Sequence, residues 1–388
     1  MEVMRAAEQR ELAGHDILHL EVGQPSTSAP EQALRAAEEA LRSDRLGYTT
    51  ALGLPLLRQK IASWYQLRYG LEIPVERVIA TTGASGSCVL AFLALWDTGA
   101  RVGVLEPGYP CYRNDLLAFG IEPVAIPVGP DTDYRPTIAH LEAAGSLDGL
   151  VIASPSNPTG TVLYDQHLAE ILGWARANDV LVVMDEIYHG ITYGDSPVPT
   201  ALAHDDDVVV FNSFSKYFSM TGWRLGWIIA PEYLVTSLER LAQNLTIAPP
   251  TLSQLAGIAA FDCTEELDRN VESYRVNRQI LLDGLPAAGI TKIAPPDGAF
   301  YIWADVSHLV DSQTTTSSQT LSSSQTLSSS QTLCSRWLED LDLAATPGVD
   351  FDPVRGQHFV RFSYAQSAAD MQQAMERLAS WTHRRVRS

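Results

Sequence analysis

Short apolar, β-branched runs recur between residues 77 and 230 with stretches of helical length between them, and this alternation constrains the fold more than any other feature. The runs Arg77–Thr81, Arg101–Leu105, Pro123–Ile126, Gly149–Ala153, Val180–Met184, Val208–Phe211 and Gly226–Ala230 read as strands. Several are apolar without interruption, as strands covered on both faces must be. Helices are expected at Gln32–Ser43, Pro55–Tyr69, Ser85–Trp96, Tyr112–Phe119, Gln166–Ala177, Thr251–Cys263 and from Glu265 to about Gly284. The fold class is therefore α/β: a large domain with a mostly parallel seven-stranded sheet flanked by helices, plus a smaller α+β domain. The large domain is expected over residues 40–265. Residues 1–39 and 266–388 would form the small one, with strands at Ala299–Asp305 and His358–Ser363.

Residues 312–333 break the pattern. Ser-Ser-Ser-Gln-Thr-Leu stands twice in tandem, at 322–327 and 328–333, after a Ser-Ser-Gln-Thr-Leu at 317–321. Such a composition cannot build a core, so the stretch reads as a flexible surface insertion, followed by a helix around Leu333–Leu341.

Forty-six acidic against 27 basic side chains give a net charge of −19, which argues against nucleic acid or an anionic membrane as partner. The most apolar stretch, Val89–Trp96, is far too short to span a bilayer, and the first residues lack the apolar core of a signal peptide. Cys88, Cys111, Cys263 and Cys334 are scattered, with no CxxC, so neither a disulfide framework nor a metal site is indicated. His15 and His19 are four apart, but Ile17–Val22 reads as strand, so they share no helix face. A reduced, cytoplasmic enzyme is expected. No GxGxxG follows the first strand, which removes support for a nicotinamide dehydrogenase.

Lysine is scarce: three in 388 residues, one of them Lys216 in Ser213-Phe214-Ser215-Lys216, directly after an apolar run. Its amine can lose a proton and attack a carbonyl, which arginine cannot do. Four polar clusters each follow a strand: Ala84-Ser85, Asn157, Asp185, and Ser213/Ser215/Lys216. In an open parallel sheet these positions share the carboxyl edge, where ligands bind. Gly83-Ala84-Ser85-Gly86 opens a helix whose free amides favour a phosphate, although taken alone it reads first as a plain turn with Ser85 as N-cap. Asp185 should be partly buried and needs a cation: an arginine, or a pyridinium nitrogen. Tyr188 could reach the same site or bond backbone, and Tyr109 could stack on a ring or pack its loop. Arg224 has apolar neighbours, which argues for partial burial and a partner. Arg361 interrupts an apolar strand, as a carboxylate clamp would. An amine beside a phosphate cradle points to an aldehyde cofactor that carries a phosphate, pyridoxal 5′-phosphate.

With these residues together the chain resembles the class I/II aminotransferases of the aspartate aminotransferase superfamily, fold type I enzymes dependent on pyridoxal phosphate. The resemblance rests on Val22-Gly23-Gln24-Pro25, Tyr48 to Gly53, Gly83 to Gly86, Pro107 to Tyr112, Asn157-Pro158-Thr159-Gly160, Asp185-Glu186-Ile187-Tyr188, Ser213 to Lys216, Arg224 and Val360-Arg361-Phe362-Ser363. It implies that Lys216 forms the internal aldimine and then shuttles the substrate proton. Asp185 would pair with the ring nitrogen, Tyr188 and Asn157 would bond the ring hydroxyl, and Tyr109 would stack on the ring. Ser213, Ser215, Arg224 and the amides of Ala84 and Ser85 would hold the phosphate. Tyr48 would reach the phosphate in a neighbouring subunit, implying a homodimer with shared active sites. Arg361 would clamp the substrate carboxylate, with Gly23 closing over it and Asn157 beside it. The implied reaction moves an amino group from an L-amino acid to a 2-oxo acid in two half-reactions. A cysteine-S-conjugate β-lyase would use the same cofactor residues and is the alternative. Similar proteins usually carry further residues ahead of the position of Met1 that cover the site, so that cover is expected to be short here.

Overall fold

The computed structural model describes residues 2–194, 197–310 and 329–387. In chain order its helices and strands are α1 (Glu2–Leu12), β1 (Leu18–Leu20), α2 (Glu31–Ser43), α3 (Pro55–Tyr69), β2 (Val78–Thr81), α4 (Gly83–Leu95), β3 (Arg101–Glu106), α5 (Pro110–Ala118), β4 (Glu122–Pro127), α6 (Ile138–Ala143), β5 (Gly149–Ala153) and α7 (Asp165–Ala177). There follow β6 (Leu181–Asp185), β7 (Val209–Ser213), β8 (Gly226–Ile229), α8 (Glu232–Leu245), α9 (Thr251–Ala260), α10 (Thr264–Gly284), β9 (Tyr301–Asp305), α11 (Ser330–Leu341), β10 (Leu343–Pro347), β11 (Phe359–Ser363) and α12 (Ala368–Arg387).

The apolar runs assemble into a seven-stranded sheet in the order β2-β8-β7-β6-β5-β3-β4. All its neighbours pair in parallel except β8, which is antiparallel to both β2 and β7. The fold class expected from the sequence is the one observed. Strands β2, β6 and β7 are buried almost throughout because helices cover both faces. Four further strands form a second sheet, β1-β10-β11-β9, in which only β1 and β10 run parallel. One large buried apolar cluster runs from one face of the first sheet to the second sheet, and the opposite face of the first sheet builds its own cluster around Phe92, Val104 and Phe211.

The elements α1, α6, α8, α12 and β10 were not among the sequence expectations. Helix α1 is polar and buries only Ala7, so its apolar periodicity is weak. Strand β10, Leu-Ala-Ala-Thr-Pro, has little strand propensity of its own and is held by β1 on one side and β11 on the other.

Most of the expected insertion, residues 311–328, lies outside the described residues. Its far boundary needs correction. Ser329 caps α11 by accepting a hydrogen bond from the Thr332 amide, Ser330 donates to Gly356 O, and Leu333 is fully buried. The last Ser-Ser-Ser-Gln-Thr-Leu copy is thus mostly cap, helix and core, not surface loop, because the apolar residues that follow give its leucine a core to enter.

Candidate active site

The carboxyl ends of β2, β5, β6 and β7 lie on one edge of the large sheet, and antiparallel β8 begins there. At the first of these, Gly83 has φ +77°, a conformation suited to glycine, and turns the chain directly into α4. No side chain caps this helix: its N-cap is Thr82, so Ser85 is not a cap but sits in the exposed first turn. The amides of Gly83, Ala84 and Ser85 are left for an anion, with the helix dipole behind them. A Cβ on Gly83 would stand 2.8 Å from Arg224 Nη2, so the guanidinium lies against this turn. Arg224 is exposed and donates to Thr221 O at 3.0 Å, which corrects the expectation of partial burial. It stands at the mouth of the cradle because its own φ of +53° turns its strand start outward.

Strand β7 ends at Ser213, whose Oγ lies 2.9 Å from Ser215 Oγ and 3.0 Å from Leu225 O, while the Ser215 amide donates to Ser213 Oγ at 3.1 Å. Both serines are buried. Ser213 pairs with Gly226, and a Cβ on Gly226 would meet Gly83 backbone at 2.9 Å, so the serine loop, the α4 turn and Arg224 converge.

Lys216 follows in the same loop. Its Nζ donates to Gly23 O and lies 5.8 Å from the Tyr188 ring centroid and 5.9 Å from that of Phe300. Burial, reinforced by the positive charges of Arg361 and Arg224 and opposed by Asp185, lowers its pKa to about 8. An amine with that pKa is partly neutral near pH 7 and can act as a nucleophile or base.

Asp185, the last residue of β6, is 4 % exposed, more deeply buried than expected. It accepts hydrogen bonds from the Tyr112 hydroxyl and, at 2.9 Å, from the Ile187 amide. Among the described residues no arginine pairs with it, which removes the structural explanation left open by the sequence. Burial raises its pKa to about 6 despite those two donors. A buried carboxylate of this kind suits a bound cation.

Arg361 shows the complementary situation. It is the one buried arginine among the described residues, and no carboxylate there pairs with it. Nη1 donates to Asn157 Oδ1 at 3.0 Å, and Nη2 to Glu21 O at 2.6 Å and Thr346 Oγ1 at 3.3 Å. The guanidinium lies over the rings of Tyr301 (4.3 Å) and Phe351 (4.8 Å), while Nε has no hydrogen-bond partner among the described residues. A desolvated cation held by neutral acceptors and aromatic faces is a ready receptor for an anion.

Tyr188 is buried, with its hydroxyl 2.7 Å from that of Tyr301. Because Asn157 Oδ1 is engaged by Arg361, its amide nitrogen is left to donate. Tyr109 immediately precedes α5, 39 % exposed, its ring edge-on to Tyr112 at 5.4 Å. Gly23 is brought to Lys216 through its carbonyl. Tyr48 is the one candidate the fold does not bring to this edge: it is 84 % exposed beside Asp44, Thr49 and Thr251. The sequence reading missed Tyr112 and Tyr301. The Tyr-x-x-Tyr spacing at 109 and 112, and a phenol inside the apolar strand Phe300–Trp303, were the signals for them.

The fold and this edge define a fold type I enzyme of the aminotransferase class. The chain belongs to the family of class I and II aminotransferases, whose model matches residues 15–378. The valine–pyruvate aminotransferase of Mycobacterium tuberculosis is 46% identical over 98% of this chain and 95% of its own. An aspartate aminotransferase of Pyrococcus horikoshii is 30% identical, covering 94% of this chain and 90% of its own. The crystal structure of an aminotransferase from Mycobacterium tuberculosis superposes with a TM-score of 0.93 at 45% identity, covering 99% of this chain and 96% of that one. The chain is a transaminase.

Proposed function

We propose that the enzyme binds pyridoxal 5′-phosphate at this edge and moves an amino group from a monocarboxylic L-amino acid to a 2-oxo acid in a ping-pong sequence. One observation carries the reading. Buried Asp185 has no cation and buried Arg361 no anion among the described residues, and the depressed amine of Lys216 is coupled electrostatically to both. The donor set fits the cofactor: amides of α4 with Ser213, Ser215 and Arg224 suit a phosphate, Asp185 a ring N–H⁺, Tyr188 and the Asn157 amide a phenolic oxygen, and Tyr109 a ring face.

When bound, the cofactor supplies an aldehyde for the amino group and an electron-poor ring that spreads negative charge developing at the substrate Cα. Arg361 grips the substrate carboxylate in bidentate fashion, which favours loss of the Cα proton over loss of CO₂. Lys216 Nζ would be the base that takes that proton. Asp185 would hold the ring nitrogen and favour its protonated form. Gly23 receives the Lys216 amine on its carbonyl and, lacking a Cβ, leaves room for the Tyr301 hydroxyl.

A monocarboxylic donor agrees with the presence of one buried arginine and with the valine–pyruvate aminotransferase relative. Exposed Tyr48 supports a homodimer in which it reaches the neighbouring site, and a cytoplasmic location belongs to the same reading. Absorbance spectra of the purified protein with a panel of amino acids test it. Loss of a visible band to a near-ultraviolet band on adding valine or alanine, without oxo acid, is expected. A band that no amino acid converts, with pyruvate and ammonia formed from a β-thio amino acid, would make the enzyme a lyase.

A further inference from the structure

Tyr301 lies in the middle of the site with no role assigned to it. It is 1 % exposed on β9, and three contacts define its place. Its hydroxyl is 2.7 Å from the Tyr188 hydroxyl, its ring underlies the Arg361 guanidinium at 4.3 Å, and its hydroxyl fills the space where a Cβ of residue 23 would stand. A buried phenol costs free energy unless its hydroxyl is bonded, and Tyr188 is the bonded partner. Of two hydroxyls sharing one bond, one donates and the other keeps its proton for a third group. The Arg361 guanidinium lies over the Tyr301 ring, and a cation on that face favours Tyr301 as the donor of the pair. With Tyr301 donating to Tyr188, the Tyr188 proton is directed away from Tyr301.

We propose that Tyr301 is a positioning residue that couples the carboxylate clamp to the cofactor's hydroxyl contact. Its ring supports the Arg361 guanidinium, while its hydroxyl fixes Tyr188 as a donor into the site. This rests on the function proposed above for the group that receives the Tyr188 proton. The two parts of the side chain are separable, so two variants address them.

Tyr301→Phe keeps the ring and removes the hydroxyl; Tyr301→Leu removes both. Two quantities are read on the holoenzyme. The first is the pH midpoint of its visible absorbance band. The second is the Kd for 3-methylbutanoate, a carboxylate without an amine, read from the change in that band. Tyr301→Phe should raise the midpoint by about half a unit to one unit, as expected when Tyr188 loses its fixed orientation. Tyr301→Leu should raise the midpoint similarly and weaken 3-methylbutanoate by about tenfold more than Tyr301→Phe does. A Tyr301→Phe midpoint equal to wild type overturns the proposal and leaves the transaminase reading standing. So does a Tyr301→Leu Kd equal to that of Tyr301→Phe. A wild-type protein with no visible band, even with added pyridoxal phosphate, overturns both.

Discussion

Gly23 and Tyr301 are fitted to each other: a Cβ built on Gly23 would fall inside van der Waals contact of the Tyr301 hydroxyl and 3.2 Å from its Cζ. The carbonyl of the same glycine receives the Lys216 amine, so residue 23 is constrained from two sides. Gly23→Ala should therefore displace Tyr301 and lower kcat/KM about tenfold or more. Tyr301→Phe relieves the worst contact, so the double variant Gly23→Ala/Tyr301→Phe should lose less than the sum of the two single losses. Steady-state kinetics on the four proteins of this cycle check it; strict additivity would separate the two residues.

Arg361→Leu removes the buried guanidinium, leaves Asn157 Oδ1 without that donor and leaves Glu21 O with Thr346 Oγ1. kcat/KM for the donor should fall by about a hundredfold or more, mostly through KM, and Arg361→Lys should not restore it because one ammonium cannot replace a planar fork. Unchanged donor kinetics in Arg361→Leu would place the clamp elsewhere.

Asp185 has a pKa raised to about 6 by burial, so in the cofactor-free protein it becomes protonated as pH falls through that value. A ligand cation then competes with a bound proton. The affinity of the cofactor-free protein for pyridoxal phosphate should fall below about pH 6, and Asp185→Asn should flatten that dependence while weakening binding throughout. Equilibrium titrations between pH 5 and 8 give both curves.

His19 joins α1 to the site segment: Nδ1 lies 2.8 Å from Glu21 Oε1, and Nε2 lies 3.1 Å from Glu11 Oε1. The bond to Glu21 is the main cause of a pKa raised from 6.5 to about 9, against the opposing effect of burial. A raised histidine stabilises fully below its unfolded value of 6.5, and that contribution is lost as pH rises through about 9. Tm should fall across this window more steeply in the wild type than in His19→Gln. The variant should already be less stable at pH 7, where it leaves the buried Glu21 carboxylate without its cation. Parallel melting profiles for the two proteins would contradict this.

Leu333, the last residue of the Ser/Gln/Thr repeat, is fully buried, whereas Ser329 contributes a cap. Leu333→Ala should cost about 2–5 kcal/mol, and Ser329→Ala about 1 kcal/mol. Urea midpoints rank them. Equal, negligible losses would return residues 329–333 to a surface loop.

The strands of the large sheet and the shared edge of Lys216, Asp185, Asn157 and Ala84-Ser85 were legible in the sequence. Each side chain there follows an apolar run whose direction in a parallel sheet is the same. Arg224 was misread because apolar neighbours in sequence do not report the turn at φ +53° that sends its side chain outward. Tyr112 and Tyr301 escaped for a related reason: an aromatic residue among apolar ones reads as core until a buried carboxylate or a second phenol is seen beside its hydroxyl. The boundary at residue 333 failed because composition describes a repeat as a unit, while burial acts on each leucine separately.

By itself the sequence determined the α/β class and the gathering of Lys216, Asp185, Asn157 and Ala84-Ser85 at one carboxyl edge, since strand period and chain direction are local properties. Tertiary structure alone decided that, among the described residues, Asp185 has no arginine and Arg361 no carboxylate, and that Tyr301 joins Arg361 to Tyr188. Those facts depend on which side chains meet after β9, β11 and the Glu21–Gly23 segment pack against the large sheet. Arg361 and its bonding partner Asn157 are 204 residues apart in the chain, so only the folded core can set the 3.0 Å between them.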